Sequence, residues 1–155
     1  MKKLLTLFIL VPNLIFAEMI PLSEFQKNIN SSTTSQQYIY LLSRCSALIK
    51  NFISTGNKES TKVLNQLNSM FEKFRLMTII SINNKNSDEE LSESEKTADI
   101  LISRIFNNYR ELTMKNYIDK GTMVVMETME DYEICRETFI TIEDAFKAVE
   151  KEMNE

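Results

Sequence analysis

Histidine is missing from all 155 residues. Its absence removes the commonest general base, the Ser-His and Cys-His nucleophile pairs, and the commonest metal ligand. It also removes the usual axial ligand of a haem-binding bundle, and no C-x-x-C-H attachment motif occurs. A glycine-rich phosphate loop and EF-hand spacing are absent too, so no cofactor is implied. Glycine and proline are scarce, with two of each, and one of the prolines is Pro12 near the start of the chain. Folds rich in β-structure need turn residues at regular spacing, and this chain has none to spare. Long helices joined by short polar turns remain as the natural architecture.

The N-terminus carries a distinct signature. Lys2 and Lys3 form a basic start, and residues 4–16 are apolar except for Thr6, Pro12 and Asn13. Ala17 then puts a small residue before Glu18, the layout of a cleavable signal peptide over residues 1–17. A membrane anchor needs roughly 20 apolar residues, and this run is shorter and interrupted. A lipoprotein needs a cysteine after the cut, where Glu18 stands. The expectation is a periplasmic or secreted product, in a compartment where disulfides form, with no membrane span after cleavage.

Cleavage leaves one domain's worth of chain, enough to bury a core. Losing Lys2 and Lys3 leaves 16 basic against 22 acidic residues, a net charge of −6. An acidic domain is poorly suited to gripping phosphates, so no nucleic-acid partner is expected. The excess is local. Residues 18–126 hold 13 basic and 12 acidic residues, whereas residues 127–155 hold 3 and 10.

Residues 18–35 read as a polar lead-in and linker. Within them, Ser23-x-x-Gln26 has the form of a capping box for a short helix. Residues 36–155 read as a single helical domain. A first long helix is expected over about 35–54, with Tyr38, Leu41, Leu42, Cys45, Leu48, Ile49 and Phe52 on one stripe. Gly56-Asn57 stops it. A second, over about 58–82, turns Val63, Leu64, Leu67, Met70, Phe71, Phe74 and Met77 inward. Its β-branched end, residues 77–82, also suits a strand. Capping boxes at Ser87-x-x-Glu90 and Ser92-x-x-Glu95 open a third helix, which Gly121 closes. It carries Ala98, Leu101, Ile102, Ile105, Tyr109 and Leu112. Thr122 is a candidate cap for the fourth, whose seam is Tyr132, Cys135, Phe139, Ile142, Phe146, Val149 and Met153. No internal repeat is visible. The fold class expected is all-α, an antiparallel up-down four-helix bundle tied by one disulfide.

That disulfide joins Cys45 and Cys135, the only cysteines, each on the apolar stripe of its helix. An even cysteine count in an exported chain favours a bridge. Buried free thiols are the alternative. Redox chemistry has little support, because there is no C-x-x-C and no activating base.

Two patterns remain as candidate sites. Met123, Met126 and Met129 form M-x-x-M-x-x-M, soft thioethers suited to Cu(I), with gap-filling as the plainer reading. The acids of the last helix include Glu130, Asp131, Glu133, Glu143 and Asp144. A pair of carboxylates can support glycoside hydrolysis, but only in a cleft, and a solvated helix face explains them more simply. Glu130, Glu133, Glu137, Asp144 and Glu150 should point outward. Glu133, Glu137 and Asp144 are therefore the candidate binding face for a protein with a basic surface. The functional expectation is an exported, non-catalytic protein acting by binding: an adaptor, inhibitor or immunity-like protein of the envelope. The alternatives are a carrier of an apolar ligand or Cu(I) within the bundle, lined by Phe71, Phe74, Phe106 and Phe146, and a small carboxylate-dependent enzyme.

Overall fold

The computed structural model describes residues 19–27, 34–56, 60–86 and 90–153, with 149, 150, 152 and 153 as backbone only. The segment expected to be a signal peptide, most of the expected polar linker and Ser87 lie outside these residues. So do the side chains of Val149, Glu150 and Met153.

Five helices and no strand occur among the described residues: α1 (Leu22–Lys27), α2 (Ser35–Thr55), α3 (Thr61–Lys85), α4 (Leu91–Lys120) and α5 (Met126–Met153). None is long and apolar enough to cross a membrane. The β-branched stretch at 77–82 is the C-terminal end of α3, where Thr78, Ile79 and Ile82 are buried against the other helices. With no partner strand, helix is the only way to satisfy its backbone.

The helix ends follow local chemistry, though not always at the residues expected. Thr34 caps α2 with a full capping box: its Oγ1 accepts from Gln37 N–H, and the Gln37 side chain accepts from Thr34 N–H. Ser60 caps α3 through Val63 N–H. Gly121 ends α4 in the left-handed conformation at φ 71°, its N–H returning to Tyr117 C=O. Three expected caps are corrected. α1 begins at Leu22, so Ser23 lies inside its first turn. α4 begins at Leu91, which puts Ser92 inside the helix, and the N-cap Glu90 makes no side-chain cap bond. Thr122 does not cap α5, which starts at Met126. Its hydroxyl accepts from Val124 N–H within the connection instead.

α2 is the central helix. It is buried on almost every side from Ile39 to Ile49, because α3, α4 and α5 all pack on it and Phe25 of α1 meets its Tyr40 edge-on at 5.0 Å. α3 and α4 also pack on each other, whereas α5 packs on α2, α3 and α1. The main core joins Leu42, Cys45, Leu48 and Ile49 of α2 to Leu67, Met70 and Phe74 of α3, Ile102, Ile105 and Tyr109 of α4, and Cys135 and Ile142 of α5. A smaller cluster of Ile39, Ile79, Ile82 and Ala98 closes one end. Among the described side chains the expected stripes are buried or half-buried except Val63, which is exposed in the first turn of α3 on the rim of a cleft facing α5.

Cys45 and Cys135 are bridged, with Cα atoms 5.3 Å apart, and tie α2 to α5 across 90 residues of chain. That separation is within the usual range for a disulfide.

Candidate functional site

Beside the bridge lies a buried polar cluster. Arg44, next to Cys45, and Asp131, one turn before Cys135, form an ion pair at 2.5 Å, with each side chain at most 3% exposed. An arginine here is surprising on burial alone, since removing an ion from water costs several kcal/mol. Every direction of its guanidinium is met. Nε and Nη2 donate to the Tyr109 hydroxyl at 3.2 and 3.1 Å, Nη2 donates to Asp131 Oδ2, and Nη1 donates to the Ile20 carbonyl. The rings of Tyr40 and Tyr109 lie 5.8 and 5.7 Å from the guanidinium carbon. Asp131 is equally well met. Tyr109 donates its hydroxyl to Oδ2 at 2.6 Å and Leu22 donates its backbone N–H to Oδ1 at 2.6 Å.

The electrostatics agree with this geometry. Burial, and then Asp131, push the Tyr109 hydroxyl far above its ordinary value against the opposing pull of Arg44, so it stays a donor. Burial pulls the Arg44 guanidinium down, but Tyr109 and Asp131 outweigh it and the net shift is upward. The cluster joins α2, α4 and α5 to the segment leading into α1. It is closed to solvent and has no face on which a substrate can sit. Its bonds hold helices together.

This corrects the reading of Asp131 as part of a solvated acidic face. Both residues carried a signal. Arg44 stands three residues after Leu41, and Asp131 stands four before Cys135, so both fall on the stripes that face the bridge. Opposite charges on two facing apolar stripes are a buried pair in waiting.

The remaining acids of α5 are outward. Glu130, Glu133, Glu137 and Asp144 are exposed. Glu133 pairs with Arg136 at 2.7 Å and Asp144 with Lys147 at 3.6 Å, both within the helix. Glu143 reaches across to Lys73 of α3 at 2.6 Å, and this lysine holds its carboxyl below the usual range. On the opposite side Arg75 of α3 grips Asp99 through two bonds, 2.7 and 2.8 Å, and Glu95 through one at 2.6 Å. Among the described residues no group of three or more cysteines and carboxylates is placed to hold a metal ion.

The methionines lie at one end of the molecule. Met126 and Met129 are in the first turns of α5 and Met123 precedes them, at 70, 40 and 41% exposure. They do not fill gaps in the core. Val125 does, at 7% exposure, anchoring the connection between them. Met114, Tyr117 and Ile118 from the end of α4, and Val124, add to the same end. Half of the fourteen exposed large apolar residues among those described thus fall between positions 114 and 129. The Asn116 amide donates to the carbonyls of Thr122 and Val124 at 2.9 and 2.7 Å, which fixes the α4–α5 connection in place.

Two open clefts flank these elements. One, of about 460 Å³, lies between the end of α2 and α4 and is lined by Ser54, Thr55, Phe106, Arg110, Thr113, Met114 and Met123. The other, of about 330 Å³, lies between α3 and α5, with Leu67, Met70, Tyr132 and Phe139 on its walls. Neither is the interior cavity expected of Phe71, Phe74, Phe106 and Phe146 together. Phe74 is fully buried in the main core, the other three pack against that core, and of the four Phe106 alone lines either of these two clefts. Compared with known proteins, the chain matches no family model, no curated protein and no solved structure.

Proposed function

We propose that this is an exported, non-catalytic helical protein that works by binding another protein through the α4–α5 end. The observation that carries the reading is the gathering of Tyr117, Ile118, Met123, Val124, Met126 and Met129 on a pinned connection. Apolar side chains concentrated in one exposed patch are the usual mark of an interaction surface. Met in particular adapts to varied partners. The exposed acids Glu127, Glu130, Glu133 and Glu137 continue from this patch along α5. A partner with an apolar anchor and a basic rim fits both features, the charges steering approach and the apolar contact supplying affinity.

Architecture and compartment belong to the same proposal. An up-down arrangement of α2 to α5, with α1 added beside α5, agrees with Arg75 meeting Asp99 while Asn83 meets Ser94, an antiparallel sense for α3 and α4. Export is supported by the basic-apolar-small order of residues 1–17 and by the disulfide, which suits an oxidising compartment. The non-catalytic reading is supported by the closed Arg44–Tyr109–Asp131 cluster and the absence of histidine.

The test is affinity capture from the native envelope fraction with three forms of the protein. The wild type and I100S/I140S, altered at exposed residues elsewhere, should retain the same partner. I118S/V124S/M126S should lose it while keeping the helical circular dichroism of the wild type. Retention unchanged in the triple variant would overturn the reading. Charge reversal at Glu133, Glu137 and Asp144 should weaken capture and its salt sensitivity if the acidic face contributes.

A further inference from the structure

The cleft between α2 and α4 opens onto the same end of the molecule, and its chemistry is specific. We propose that it receives the carboxyl terminus of a polypeptide whose last side chain is apolar. The inference rests on the binding reading above and names what part of the partner is bound.

Arg110 is exposed at the cleft and makes no ion pair among the described residues, unlike Arg44, Arg75 and Arg136. A guanidinium matches a carboxylate bidentately, which makes a free carboxylate the natural complement. The floor is apolar: Phe106, Met114 and Met123.

The hydroxyls decide between carboxylates. Ser54 and Thr55 both donate to the Asn51 carbonyl, at 2.8 and 2.9 Å, and Thr113 donates to the Tyr109 carbonyl at 2.9 Å. Their protons are committed inward. The Thr113 oxygen also accepts from the Asn51 amide at 3.1 Å and is buried, so Ser54 and Thr55 are the two that offer lone pairs to the cleft. The site therefore supplies one cation, an apolar floor and surplus acceptors. A fatty acid meets the first two. A chain terminus meets all three, because its peptide N–H groups supply donors beside the carboxylate. The volume, about 460 Å³, falls within the roughly 300–1,000 Å³ of ligand pockets.

The experiment titrates the purified protein, with its methionine methyls isotopically labelled, against N-acetyl-Gly-Gly-Leu as the free acid, the same peptide as its C-terminal amide, and decanoate. The free acid should shift the Met114 and Met123 methyl resonances and bind about tenfold more tightly than the amide, the scale of one charge-assisted contact. R110Q should abolish that preference with the fold unchanged, whereas R104Q, one arginine earlier on α4 and outside the cleft, should keep it. Equal binding of acid and amide, a preference that survives R110Q, binding of decanoate without the peptide acid, or no shift at all would each overturn the proposal. Partner capture that still depends on Ile118, Val124 and Met126 while the peptides fail would sink this inference and leave the binding reading standing.

Discussion

Asp131 of α5 meets Arg44 of α2 at 2.5 Å beside the disulfide that joins the same two helices. A covalent tie and a buried ion pair thus hold one helix–helix contact, and the pair also reaches Tyr109 and the backbone on either side of Pro21. Breaking one partner leaves an uncompensated charge in the interior. D131N and R44M should each lower stability by about 3–5 kcal/mol in urea unfolding. The double variant R44M/D131N should lose less than the sum, because it removes both charges together. Additive losses would show that the two residues act separately.

Replacing both cysteines tests the covalent tie. The bridge closes a loop across 90 residues, for which chain entropy gives about 4–5 kcal/mol. C45A/C135A should therefore unfold at markedly lower denaturant while retaining most of its helical circular dichroism. Early loss should appear as enhanced amide exchange in α5, which has fewer neighbours than α2. Uniform exchange over all helices would contradict that order.

Gly121 is the one described residue with positive φ, and a Cβ there would meet nothing within 4 Å. The requirement is conformational, not steric crowding by neighbours. G121A should cost about 1–2 kcal/mol, and G121N less, since asparagine tolerates the left-handed region. Equal stability of the alanine variant in thermal melts would show that α4 can end another way.

Titration should destabilise the protein at both extremes. Hydrogen bonding to Arg75 lowers the Asp99 carboxyl, and Lys73 lowers that of Glu143. A lowered folded value contributes stability above the unfolded value, lost as pH falls through the folded one. Acid destabilisation should therefore set in as pH falls into the ordinary carboxylate range and continue below it, and D99N should flatten part of that slope. Tyr109 is the alkaline counterpart. Its folded value is raised, so its contribution is complete below the ordinary tyrosine range and drains away as pH rises above it. Its phenolate absorbance should appear only with loss of helix. Ionisation of Tyr109 in the folded protein would contradict its burial.

The protein recovered from its cell should begin at Glu18, as read by N-terminal sequencing. An intact Met1 on that product would remove the signal-peptide reading and the compartment argument for the bridge.

Sequence alone determined the helical class, the four long helices and the cysteine pairing. Each rests on local spacing: apolar residues at three- and four-residue steps, Gly121 after Lys120, and two cysteines on stripes that must face inward. Exact starts were less legible. Ser92 and Thr122 have capping chemistry at positions the chain does not use, since where α4 and α5 begin depends on how their first turns meet neighbouring helices. Asp131 shows the limit most clearly. Its place four residues before Cys135 is the one sign that sets it apart from the solvated acids of α5, and only the facing Arg44 and Tyr109, with the Leu22 N–H, make its burial affordable. The same holds for the apolar end and the Arg110 cleft. Periodicity says which residues share a face of one helix. Which faces go uncovered is decided by the packing of several helices at once, a property no single stretch of sequence contains.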